Sequence, residues 1–184
     1  MTQFVTMSKG TLVNGATIMS VVDGLGVFKK LAENIFRYAG LPIPEEIVPD
    51  ADHWYSQQRW LDAFKIIAER VGSRTLFRIG LKIPENAVFP PEINDVESAL
   101  QSIDVAYHMN HKNYGTNGLG HYRCVKTGEK EIRIVCDNPY PCDFDWGIIT
   151  AMAKRFNQLV KVKHDHGKCR KNGDETCTYT VTWT

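Results

Sequence analysis

The sequence predicts an α/β fold of the α+β kind: a mostly antiparallel sheet covered by helices, with an N-terminal helical extension. Three observations predict it. Apolar residues recur at helical spacing over 16–39, 54–72 and 92–112. From residue 120 the period changes to two, in GHYRCVKT, EIRIVCD and TCTYTVTW. One further helical stretch, FDWGIITAMAKRFNQLV, interrupts those strands. A sheet with one face covered by helices is the economical way to bury both patterns. The expected division is an extension over 1–50, serving as a dimerisation arm, and a ligand-binding domain over 51–184 that ends in a metal knuckle.

In the first helix Ile18, Val21, Val22, Leu25, Phe28, Leu31, Ala32, Ile35 and Phe36 form the apolar stripe, with Gly24 and Gly26 as a weak point. Gly40 and Pro42 end it. LPIPEEIVPDADH reads as an exposed connection. The second helix buries Trp54, Trp60, Leu61, Phe64, Ile67, Ala68 and Val71, and Gly72 closes it. SRTLFRIGLKIPENAVFPPEI, with three prolines, reads as irregular apart from a short element near Leu76–Leu81. The third helix carries Ile93, Val96, Leu100, Ile103 and Tyr107 on one stripe. TGEK turns the first hairpin. Asp143 is the expected cap of the fourth helix, with Phe144, Ile148, Met152 and Leu159 inward. Asn172-Gly173 is the expected two-residue turn before the last strand.

Composition narrows the function. Apolar residues make up 43% and charged residues 23% of 184, which suits one soluble domain that needs no disulfides to fold. A net charge of +1 provides no field for nucleic acid or a membrane surface. Lys168, Arg170 and Lys171 read as a solvated hairpin tip. The N-terminus lacks a secretory pattern and no apolar run spans a bilayer, so a cytoplasmic location is expected. Five cysteines, an odd number confined to the C-terminal third, point in a reducing compartment to metal or buried thiol.

His166-x2-Cys169-x7-Cys177 places three soft or borderline donors within twelve residues. A hairpin between the two cysteines would bring them side by side, and zinc prefers four such donors in a tetrahedron. Cys142, at a helix start that favours a thiolate, is the best fourth donor. Cys136 competes with it, and His164 competes with His166. With no open position, such a site is structural.

PYPCDFDWGIITAMAKRF followed by HDHGKCRKNGDETCTYTVTW resembles the C-terminal half of the vinyl-reductase-type small-molecule-binding domain. That family includes archaeal hydrocarbon-binding proteins, phenol-sensing domains of bacterial activators and accessory proteins of chlorophyll synthesis. Its fold is that of the NO-signalling and Golgi-transport ligand-binding superfamily. The resemblance covers residues ~120–184 best and extends loosely back to about residue 55. It implies a zinc site at Cys142, His166, Cys169 and Cys177, with a His where the relatives carry a Glu. It also implies a sensor or carrier with an apolar pocket for a hydrophobic or aromatic molecule, often dimeric. The pocket candidates are Trp60, Phe64, Phe77, Tyr107, Tyr122, Trp146 and Ile149, each of which also suits plain core packing.

Heme is the disfavoured alternative cofactor, with His108, His111 or the Met between them as iron donors; it would make the chain a tetrapyrrole-linked protein. No nucleophile elbow, phosphate loop or dinucleotide fingerprint is present, and Asp143 and Asp145 read as helix-dipole partners, so no catalytic residue is assigned. No output module is legible, and the signalling partner is unassigned.

Overall fold

The computed structural model describes residues 3–25, 29–87, 89–116 and 118–184. Its helices and two antiparallel sheets make it α+β. A short strand β1 (Leu12–Asn14) leads into α1 (Gly15–Leu25), and α2 (Lys29–Ala39) comes next. Two helical spans thus replace the single helix expected over 16–39, while Gly26 and Phe28 lie outside the described residues. β2 (Trp54–Ser56) precedes α3 (Gln57–Arg70), so the second helix starts three residues later than its apolar pattern. Ser56 supplies the reason: its side chain accepts the Arg59 N–H and caps the helix.

The segment expected to be irregular is largely α4 (Ser73–Lys82). Its prolines fall beyond the helix, at Pro84, Pro90 and Pro91, and Leu76 and Ile79 are buried at helical spacing. α5 (Val96–Met109) opens with a capping box between Asp95 and Ser98. β3 (His111–Lys112) pairs with β1, whose other edge pairs with β2. The segment expected to be a separate extension therefore shares a sheet with strands from the ligand-binding part of the chain.

The second sheet runs β4 (Tyr122–Gly128), β5 (Glu131–Cys136), β7 (Cys177–Thr182) and β6 (Lys161–His164), in that order. Between β5 and β6 lies α6 (Cys142–Phe156). Pro141, not Asp143, holds the cap position; Asp143 sits in the first turn and is buried. Between β6 and β7 the expected two-residue turn is replaced by a longer connection. It contains a 3₁₀ turn at Arg170–Asn172, after which Gly173 adopts the left-handed region at φ 91°.

α4 and α6 cross where Gly80 meets Gly147. A Cβ on Gly80 would stand 2.2 Å from the Phe144 carbonyl oxygen, and one on Gly147 2.2 Å from that of Phe77. Any side chain would force the helices apart. An aromatic row runs through Phe36, Trp60 and Phe64 to Phe144, the first two pairs edge-on and the last tilted, with centroids 4.7–5.7 Å apart. Such pairs contribute about 0.5–1.5 kcal/mol each beyond the area they bury.

Candidate functional site

Two places draw chemistry-bearing residues together. The first is a thiol cluster at the start of α6. Cys142 Sγ lies 3.3 Å from Cys169 Sγ and 3.1 Å from Cys177 Sγ, and the third sulfur pair is 3.7 Å apart. His164, at the end of β6, completes the set, and all four residues are buried with donor atoms within 4.8 Å of one another. Both ring nitrogens of His164 are buried without a hydrogen-bond partner.

Three of the four donors expected from the sequence thus converge. His166 does not join them: it is exposed, and His164 takes its place. The chain leaves regular strand after His164, and the His166 ring lies edge-on against that of His164 at 4.5 Å without joining the four clustered donors. Cys136, the competitor of Cys142, lies opposite Cys177 in the β5–β7 register and outside the cluster. A hydrogen bond from Cys142 holds the Cys177 thiol down to about 3, helped by the Arg170 guanidinium. The Cys142 thiol correspondingly moves up.

The second place is a cavity of about 860 Å³. α1 and α5 line it through Met19, Ile103, Ala106 and Tyr107, α6 through Phe144, Ile148 and Met152, and the segment after α4 through Ile83, Pro84 and Phe89. No Asp, Glu, Lys or Arg lines it among the described residues. Of the seven expected pocket residues only Tyr107 and Tyr122 do so. Trp60 and Phe64 belong to the aromatic row, Phe77 pairs edge-on with Trp146 at 5.2 Å, and Ile149 is fully buried.

The cavity also contains a histidine. His111 Nδ1–H donates to the Tyr107 carbonyl at 2.7 Å, and its Nε2 accepts the Tyr140 hydroxyl at 2.7 Å. Burial pushes this imidazole down to about 4, so it is neutral at pH 7.

A buried polar bridge joins the two places. The Tyr122 hydroxyl, at the cavity wall, donates to Asp145 Oδ1 at 2.6 Å. The other oxygen of Asp145 pairs with Arg170, and both side chains are fully buried. Arg170 also donates from Nη1 to Asn138 at 3.1 Å, and from its backbone N–H and Nε to Cys177 Sγ at 3.3 Å. Burial lifts the Asp145 carboxyl to about 7 against the pull of Arg170 and Tyr122. The bridge was not legible in the sequence. Arg170 read as part of a solvated tip and Asp145 as a dipole partner; only Lys168 and Lys171 of that tip reach solvent.

No family model and no curated protein matches the chain. Solved structures do match. An H-NOX protein from S. oneidensis in its Fe(II)NO state is 15% identical, with 93% of this chain and 99% of that one covered and a TM-score of 0.67. A structure described as probing heme distortion in the H-NOX family is 13% identical, covering 93% and 95%, with a TM-score of 0.70. A mutant of T. Tengcongensis H-NOX is 12% identical, covering 92% and 97%, with a TM-score of 0.65. The chain therefore has the fold seen in these H-NOX structures, in line with the broader fold that the resemblance implied; the narrower vinyl-reductase-type assignment finds no match. The cofactor expectation is corrected as well. Structural zinc with heme disfavoured is overturned by neighbours that are described by their heme. No helix among the described residues is long and apolar enough to cross a membrane.

Proposed function

We propose that the chain is a sensor domain whose cavity takes a heme, with His111 as the residue that would hold its iron. The observation that carries this reading is the state of His111. Its Nδ1–H is spent on a backbone carbonyl, which fixes the tautomer and leaves the Nε2 lone pair on the cavity side. A ligating imidazole in a metal site is oriented in the same manner. The other residues fit the group. Ile103, Phe144, Ile148, Met152 and Phe89 give apolar walls, and the volume is of the size that holds a cofactor. Arg155 stacks on the lining residue Phe89 at 4.2 Å and would be a cation available to a heme carboxylate. A bound heme would supply an iron able to take a diatomic ligand. The chain's own residues exclude water from the walls, hold the imidazole neutral, and place the Tyr140 hydroxyl on Nε2 until a stronger acceptor of that lone pair arrives. Titration of hemin into the full chain is the test. One equivalent giving a Soret band that His111→Ala displaces supports the reading; a free-hemin spectrum throughout overturns it.

A second reading is a neutral apolar or aromatic guest. It is favoured by the uncharged cavity lining and by the Tyr140 hydroxyl already satisfying His111. It predicts that phenol or naphthalene raises the thermal midpoint while hemin leaves it unchanged.

A further inference from the structure

Outside both places, α5 turns a second donor set toward solvent. Asp104 and His108 stand four residues apart, and therefore on one face of the helix. Ile103, Ala106 and Tyr107, on another face, line the cavity. His121, just before β4, comes to lie against the pair, its ring 4.8 Å from that of His108. We propose that Asp104, His108 and His121 form a peripheral site for a divalent first-row transition-metal ion.

Four observations carry this. Each residue offers one ligand atom, and the three atoms lie within 4.8 Å of one another. The backbone around the site is fixed. The Tyr122 N–H donates to Asp104 Oδ1 at 2.8 Å and the His121 N–H to Asp137 at 2.6 Å, while Asp104 Oδ2 faces His121 Nδ1 at 3.2 Å, a contact that an ion between them would replace. His108 Nδ1–H donates to the Asp104 carbonyl at 2.8 Å, so its Nε2 carries a lone pair that meets no hydrogen-bond partner among the described residues. Gly120 makes the approach possible: its φ is +81°, and a Cβ there would stand 2.6 Å from the Asn138 Cα.

The donor types set the chemistry. Two imidazoles and one carboxylate, with no sulfur, suit borderline divalent ions such as Co²⁺ or Ni²⁺ rather than soft ones. The side chains remain about a quarter to under a half exposed, so solvent can complete the coordination sphere. Arg123, two residues beyond His121, is paired with Asp137 at 2.5 Å, and its charge is offset. An ion held here would clip the end of α5 to the start of β4 across residues 110–120. It would stiffen the helix whose other side is the cavity wall.

The test titrates Co²⁺ into the full chain, with visible and near-ultraviolet absorption and amide NMR as readouts. The thiol cluster and this site separate spectroscopically, because only thiolate donors give an intense near-ultraviolet charge-transfer band. The expected result is one ion without that band, with paramagnetic shifts centred on Asp104, His108 and His121. His108→Gln and His121→Gln should each weaken it by more than about tenfold, since even supporting partners of a metal site are worth that much. Asp104→Asn keeps the oxygen that holds the Tyr122 N–H, so it should fold and still lose the ion. Should Co²⁺ give only the thiolate band, or should all three variants keep the parent affinity, the site does not exist.

Discussion

The thiol cluster and the cavity sit at two ends of one bridge and are built in opposite ways. At the cluster, donors from α6, β6, β7 and the loop between those strands converge until sulfur meets sulfur, all of them buried. At the cavity, side chains from α1, α5, α6 and the segment after α4 stand apart and leave about 860 Å³. The bridging Arg170 touches the sulfur of Cys177 and, through Asp145 and Tyr122, the cavity wall. Closed and open sites thus share one core, and what differs is how completely each satisfies its own polar atoms. The cluster leaves both His164 nitrogens unpartnered, whereas the cavity's His111 has a partner on each.

Substitutions rank the two regions. Arg170→Met strands the Asp145 carboxylate in a dry core and should cost about 3–5 kcal/mol in urea unfolding; replacing Asp145 by Leu in the same chain should recover much of it. A loss no larger than that of a surface substitution would mean the bridge does not tie the regions together. Cys177→Ser removes a donor from the cluster and an acceptor from Arg170. It should lower stability by more than about 2 kcal/mol, measured by calorimetry.

Acid should act on the cavity side through His111. This imidazole is pushed from 6.5 down to about 4 by burial, so the unfolded chain takes up a proton that the folded chain refuses. The stabilisation is complete above pH 6.5 and drains away as pH falls toward 4, by ~3 kcal/mol over that window. Denaturation across this range should show the slope, and His111→Gln should flatten it. Gly147→Ala, at the helix crossing, should cost about 1–3 kcal/mol by overpacking. At the small end, Met109→Leu on the exposed rim should stay within about 0.5 kcal/mol, while shifting the affinity of whatever guest the cavity takes.

What could be read from the sequence divides along the same line. The period-two strands, the third and fourth helices and three cluster donors were legible, because each depends on neighbours close in sequence or on one strand pairing. Cys169 lies in the connection between the adjacent strands β6 and β7 and Cys177 opens β7, so the short chain between them brings them together. The choice of His164 over His166 was not legible, since it depends on where β6 stops. The cavity was largely illegible: Ile83, Pro84 and Phe89 come from a stretch that reads as loop, and Trp60 and Phe64 look like lining until an aromatic row absorbs them. α4 was obscured because a glycine and nearby prolines read as breakers, whereas Gly80 is where another backbone presses in.

That contact has a mechanical consequence. Where two helices touch through bare backbone, there are no side chains to reshuffle, so the crossing behaves as a fulcrum. Cys142 lies on one side of Gly147 along α6, and Ile148 and Met152 lie on the other. A guest pressing on Phe144, Ile148 or Met152 would therefore bear on the same helix whose first residue, Cys142, meets the other sulfurs.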